Sequence, residues 1–479
     1  MNRKITTTIL SLFVIIVFLM SACASIATTT TTSEAIQTDI TQATEVSSQP
    51  VTDVNAGLGA PPPGTGMGGS NADEGLATAT GAYTLDGGTA TLSAETYTAT
   101  EEDQSGIYVI NSAELTLSDA TIITSGNTSS DENSSFYGLN AGVLAAYNST
   151  VNLTNSSITT SGTGANGAFA TGNGSSVNLT NVSINATGDG GHGIMATQGG
   201  TATLTNVTIT TSGAHSAPVA TDRGSGTVTT TGDNITTSGT DSPCYYSTGL
   251  LTITDSVCNA IGSETAVIEG ANSIILTNSA LTSSIEDKWG VMIYQSFSGD
   301  AEGTNGVFTM TGGSLSNTAS NGPLFYVNNS TGNITLTNVD LNAVSGTIIE
   351  AGANERWGKS GSNGGTVILT ADKQNLEGNM IADSLSTITA ALQNGTAFTG
   401  AINSENTARA ITLSLDESSI WTVTADSYLT CLTDASISGN TVTNIVGNGH
   451  TVYYDKDTCI ELGGQTYTLS GGGTLKPEN

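Results

Sequence analysis

One octet, rewritten along most of the chain, constrains the fold more than any other feature. VNLTNSSI at residues 151–158 returns as VNLTNVSI at 177–184, ATLTNVTI at 202–209, IILTNSAL at 274–281 and ITLTNVDL at 334–341. Looser copies start at Ala90, Leu115, Val228, Leu251, Phe308 and Val367, mostly 23 to 26 residues apart, with longer gaps of 36, 34 and 33. A period in this range is the signature of a solenoid. Position one is apolar in all eleven copies and position three in ten, Thr230 being the exception, while position four is always Ser or Thr. That alternation has period two, so positions one and three point inward and two and four outward. Position five is Asn, Asp or Gly in nine copies, residues that take positive φ at least cost, so a sharp corner recurs there. Position eight is apolar again, as in Ile158, Ile184 and Leu281.

A further strand precedes each octet, seen in GIYVI at Gly106, GVLAA at Gly142, GAFAT at Gly167, GIMAT at Gly193 and TAVIE at Thr265. Three short strands per period, separated by Gly/Asn/Ser/Thr turns, make one coil of a parallel β-helix. Helical alternatives fail, because Thr, Ser, Asn and Gly dominate and no 3.6-residue period follows the N-terminal segment. The expected fold is all-β, a parallel solenoid of about 11–13 coils over residues 81–410, with a C-terminal β-helix end and cap over 411–479. At about 4.8 Å per coil the rod is roughly 60 Å long.

The N-terminal 22 residues read as an export signal, with Arg3 and Lys4 before the apolar run 9–20. The run ends in LMSAC, which resembles a lipobox, with Met20 in place of the usual Leu and Cys23 as the lipidated residue. Acyl chains on Cys23 are expected to anchor the protein to a membrane without spanning it. Residues 23–80, rich in Thr and Ser and then GAPPPGTGMGGS, have the composition of a disordered linker that gives the rod reach.

Three insertions interrupt the period. NTSSDENSSF at 127–136 reads as a solvated loop. SFSGDAEGTNG at 296–306 and ANERWGKSGSNGG at 353–365 fall on one corner, two coils apart, about 10 Å in strand spacing. Insertions on one edge of a solenoid are where binding residues collect. In the cap, WTVTADSYL at 421–429 is followed by Tyr453, Tyr454 and Tyr467, aromatic cover for an open sheet end.

The octets, with the closing WTVTADSYL, resemble right-handed β-helix surface proteins of the pectin-lyase-like superfamily, above all adhesin-like repeats and autotransporter passenger domains of the pertactin type. The resemblance implies a right-handed helix and surface display, and specifies fold better than activity. Such autotransporters carry a C-terminal membrane barrel as anchor; here lipidated Cys23 is expected to serve in its place.

The net charge of −31 argues against nucleic acid as a partner and against tight binding of anionic polymers, unless calcium bridges the charges. After Cys23, four cysteines remain, and two local pairs, Cys244–Cys258 and Cys431–Cys459, are the economical arrangement for an exported chain. Cys258 lies in an inward column, where a buried free thiol also fits. None has zinc-type spacing, no cofactor motif is present, and no metal site is expected.

GDGGHG at 188–193 is similar to one polygalacturonase motif, but its companion motifs NTD, DD and RxK are missing, and His192 fills the turn slot that Ser105 fills three coils earlier. His215 and His450 stand alone in the sequence. No catalytic constellation emerges. Asp300 or Glu302 approaching Glu355 offers paired carboxylates for a polysaccharide hydrolase or lyase, the rival reading. The favoured reading uses the same edge for binding: Trp357 stacks on a sugar, with Phe297, Asp300, Glu302, Glu355 and Arg356 supplying apolar and polar contacts. Outward pairs Thr203/Thr205, Thr229/Thr231 and Thr252/Thr254 resemble ice-binding solenoids, a third reading, although Thr is also a good strand residue. The expectation is thus a monomeric lipoprotein on the outside of a bacterial envelope, with a glycan or a surface protein of a host or neighbouring cell as partner. Replacing Cys23 by Ser is expected to move the protein from the membrane to the soluble fraction on ultracentrifugation; a protein still pelleting with membranes would contradict the anchor.

Overall fold

The structure, a computed structural model, describes residues 72–478 apart from Ala435. The signal segment, Cys23 and most of the linker lie outside the described residues. The folded part starts at the short helix α1, Ala72–Gly75, and the first strand begins at Thr80, so residues 72–80 have structure where the sequence suggests linker.

Three strands per repeat stack into three parallel sheets. The first has twelve strands, from Thr80–Asp86 to Asn379–Ala382; the second fourteen, from Thr89–Ser93 to Cys431–Asp434; the third ten, from Thr96–Ala99 to Asp340–Ala343. A nine-stranded fourth sheet takes over from the third at Asn375–Glu377 and closes the end, where Tyr467–Ser470 pairs antiparallel with Thr474–Pro477. The fold is therefore the parallel β-helix expected, with more coils than the repeat count suggested, because the second sheet continues through the region read as cap.

Neighbouring coils align in register, so the columns of the repeat become columns of the molecule. Val151, Val177, Ala202, Val228, Leu251 and Ile274 stack in the core, each paired with its counterpart one coil away. The corner residues Asn155, Asn181, Asn206 and Asn278 all have φ near +50°, the conformation Asn tolerates best after Gly. Stacked asparagines also bond along the axis, Asn181 Nδ2 donating to Asn155 Oδ1 at 3.1 Å. Position four makes an outward threonine column through eight coils, from Thr154 to Thr337.

Cys244 and Cys258 are bonded inside the core, and Cys431 is bonded to Cys459 beside the terminal 3-10 turn Ile460–Leu462. Each bridge shortens the loops of the unfolded chain.

The insertion 127–136 is not a solvated loop. It contains helix α2, Asp131–Tyr137, whose N-cap Ser130 accepts from the Asn133 N–H at 3.2 Å and whose chain reverses at Gly138, φ 81°. Its Phe136 and Tyr137 are buried on the outer face of the first sheet, with Leu76, Tyr108, Leu144, Phe169 and Met195. A Cβ on Gly138 would lie 2.5 Å from the Phe169 ring, so glycine is needed there for space as well as for φ. The reason for the cover lies in the first-sheet strands themselves, such as Ala168–Thr171 and Ile194–Thr197, which are buried at every position. They have two apolar faces, and the second needs a lid.

Thr230, the exception in column three, is fully buried and its hydroxyl has no hydrogen-bond partner. Thr230→Val is expected to raise stability by about 1 kcal/mol, since it removes an unpaired buried hydroxyl while keeping the shape. Chemical denaturation of the two proteins side by side checks this; a lower midpoint for the variant would contradict it.

Candidate functional site

The outward column of the first sheet runs Tyr108, Leu144, Phe169, Met195, Ala220, Tyr246, Val267, Met292, Tyr326 in unbroken register. Helices α1 and α2 cover its first half. From Ala220 onward the cover stops, and a groove of about 600 Å³ lies over the sheet, with Tyr246, Val267 and Met292 in its floor. One wall is built from the turns that lead into six consecutive first-sheet strands, the other from Arg356 and Trp357 of the second inserted loop. Over six coils the groove runs about 24 Å along the axis.

Aromatic rings gather at its far end. Trp289 stacks on Tyr326 with centroids 4.3 Å apart and planes at 8°. Trp357 packs against Tyr294 at 4.8 Å, and the Arg356 guanidinium lies 4.5 Å from the Trp357 ring centre. The loop carrying Trp357 is pinned from within: Asn354 Oδ1 accepts the N–H groups of Arg356 and Trp357 at 3.0 and 2.9 Å, and Asn363 Nδ2 donates to the Asn354 and Trp357 carbonyls at 2.6 and 2.8 Å. The indole is thereby placed by a short, closed set of hydrogen bonds.

Beneath the rings lies Glu269, 1% exposed. It accepts the Tyr246 and Tyr294 hydroxyls, both at 2.7 Å, and the Ser296 hydroxyl. Burial, reinforced by the Glu269 charge, pushes both tyrosines well above the ordinary phenol value, so they stay protonated and donate. Asp222, half-buried, is also raised well above the usual carboxylate value, first by burial and then by the charge of Asp300; the Arg223 backbone N–H, 2.7 Å away, offsets part of this. Arg223 itself ties the lid to the inserted loop. Its guanidinium sits 3.7 Å over Phe136 and reaches Glu132 at 3.4 Å and Asp300 at 3.3 Å.

On the turn wall, Lys288 pairs with Asp241 and lies 3.8 Å from Glu264. Burial alone would raise Asp241, but the Lys288 ammonium outweighs it and holds the carboxyl below its usual value. His192 is buried and its pKa is lowered to about 4 by desolvation, so the ring is neutral at physiological pH; Nδ1 is 3.3 Å from the Ala217 carbonyl. His215, exposed, lines the same groove. Two histidines that stand alone in the sequence are thus brought together, while His450 lies in the cap, 3.7 Å from Asp426.

Of the six residues proposed for the inserted edge, Arg356 and Trp357 line the groove. Asp300 stands behind it as the partner of Arg223. Phe297 is half-buried at φ 61° with its N–H on Gln295 Oε1 at 2.7 Å, and Glu302 and Glu355 are exposed; these three are not in the lining. Tyr246, Trp289, Met292 and Tyr294, which also line the groove, were not anticipated from the sequence. A signal for them was present, since GVLAA, GAFAT, GIMAT and TAVIE are nearly continuous apolar runs, the mark of a strand covered on both faces. Among the described residues no three His, Cys, Asp or Glu side chains converge as a metal site.

No family profile, curated protein or solved structure matches this chain. What the fold and groove define is therefore a class, a parallel β-helix with an aromatic groove on the outer face of one sheet.

Asp222 supplies a pH test. Its folded-state pKa lies above the ordinary 3.8, so folding takes up a proton in the window between the two values, and stability is lost as pH rises through it. Asp222→Asn keeps the uncharged form at every pH. The variant is expected to be more stable than the parent at pH of about 8, with the difference vanishing at pH below about 4. Thermal melts across that range check it, and a pH-independent difference would contradict it.

Proposed function

We propose that the protein binds carbohydrate chains in the groove over the first sheet, and does so as a lipid-anchored adhesion or glycan-binding protein displayed on a bacterial envelope. The observation that carries this reading is the aromatic shelf of Trp289, Tyr294 and Trp357 at one end of an elongated groove, with Trp289 backed by the buried Tyr326. Sugars present flat C–H faces and a rim of hydroxyls; rings supply the stacking surface and the carboxylates and His192 along the wall supply polar contacts. Length along the axis suits a chain better than a compact ligand. The export signal and lipobox-like LMSAC support display outside the cell.

One observation favours cleavage as a second reading. Asp222 lines the groove, and burial raises its carboxyl well above the usual carboxylate value, the direction a general acid needs. The buried Glu269, however, already accepts three hydroxyls, which leaves it poorly placed to activate water, and this supports holding without turnover.

The test is binding of the full chain to a glycan panel, together with Trp289→Ala and Trp357→Ala. Each variant is expected to weaken the best ligand by about tenfold or more, equivalent to about 1.4 kcal/mol. Unchanged affinity in both variants would remove the groove as the site, and release of reducing or unsaturated ends from the bound glycan would establish the second reading.

A further inference from the structure

We propose that the groove selects sugar chains that carry free primary ammonium groups, polymers of de-N-acetylated amino sugars, over neutral or acidic glycans. This rests on the glycan-binding reading of the same groove and adds the ligand's charge and hydrogen-bonding character.

The first ground is the inventory of what the walls offer. Apart from Asp222, whose charged form burial disfavours, five carboxyl groups line the groove, Asp131, Asp189, Asp241, Glu264 and Asp287, against two cationic side chains, Lys288 and Arg356. Lys288 is already engaged by Asp241 and Glu264, and Arg356 lies over the Trp357 ring. The Tyr246 and Tyr294 hydroxyls spend their protons on Glu269, so toward the groove they offer lone pairs. A ligand matching this surface is rich in donors and positively charged.

The second ground is independent of the acidic residues. His192, 9% exposed, lines the groove, and its Nδ1 faces the Ala217 carbonyl at 3.3 Å. That contact sets Nδ1 as the protonated nitrogen of the neutral ring, which leaves Nε2 an acceptor with no protein hydrogen bond. A lone pair that faces the groove without a protein partner suits a donor from the ligand.

Third, the rings favour a cation. Ammonium groups are attracted to the faces of Trp and Tyr, and the guanidinium of Arg356 at 4.5 Å from Trp357 is such a contact within the protein. A uronic acid chain would meet carboxylates along the wall and be repelled; a neutral N-acetylated chain would leave the carboxylates without counter-charge.

The experiment is calorimetric titration of the full chain with a fully de-acetylated glucosamine hexamer and with its N-acetylated counterpart, at a pH below the amine pKa. The charged hexamer is expected to bind about tenfold tighter or more, with the advantage shrinking as salt rises from about 0.05 to 0.5 M. Asp189→Asn with Asp287→Asn should remove most of that advantage, because each amide keeps the oxygen that accepts from Ala214 N–H or Asn321 Nδ2 and loses only the charge. Glu114→Gln with Asp340→Asn, two exposed carboxylates of the second and third sheets, should leave it intact. Equal affinity for the two hexamers, or preference for the N-acetylated one, would overturn the proposal and leave glycan binding standing. Binding of no glycan at all would remove both. An equal loss in the remote-face variant would reduce the effect to bulk charge, and equally tight binding of a lysine hexapeptide would show that the sugar ring is not read; either result overturns it.

Discussion

Everything in this molecule depends on the hydrogen-bond ladder between successive coils. A parallel sheet holds each strand about 4.8 Å from the next, so a residue's nearest neighbour is its own counterpart one repeat later. That is why Val stacks on Val, Leu on Leu and Asn on Asn, and why one octet can be reused with little change. It also explains why the corner must be Asn, Asp or Gly in nearly every coil: a single residue with another φ would tilt one strand and break the alignment of those stacked on it. Where the repeat lapses, as at Thr230, the core simply accepts an unpaired hydroxyl.

A coil has three outer faces, and they are used differently. The second and third sheets alternate buried with exposed or half-buried positions and present mainly Thr, Ser and Asn to solvent. The first sheet is apolar outside as well as inside, so it needs cover, and the cover is incomplete. Helix α2 shields the early coils; the loop with Trp357 flanks the later ones; the gap between them is the groove. Its position is thus a consequence of where two insertions end, and not of any change in the coils beneath.

The electrostatics of the groove follow from the same arrangement. Covering a sheet face buries whatever lies in its outward columns, including Asp222 and Glu269. Each is accommodated in its own way: Glu269 by three hydroxyl donors, Asp222 by the Arg223 backbone N–H and a carboxyl pKa raised by burial. Arg223 resolves the excess of negative charge at the join, since it reaches a carboxylate on α2 and another on the first inserted loop while stacking on Phe136. The segments that bound the groove are thereby connected through one side chain.

Much of the architecture was determined by the sequence alone, because a repeat with period-two alternation and a fixed corner encodes its geometry locally. The strands, the inward columns and the corner residues with φ near +50° all follow from short-range rules. The two inserted loops could likewise be placed on one edge by counting coils. The groove could not be read that way. Trp289, His192 and Asp222 lie in different coils, and only the stacking of coils brings them to one face. The role of α2 was hidden too, since NTSSDENSSF is polar in composition and just two aromatic residues, Phe136 and Tyr137, make it a lid. Trp357 was found because an aromatic residue in an insertion stands out; its neighbours were missed because aromatic residues inside strands look like core. Tertiary structure decided which of them face the core and which face the groove, since that depends on which side of a sheet is left uncovered, and cover is supplied by residues far away in the chain.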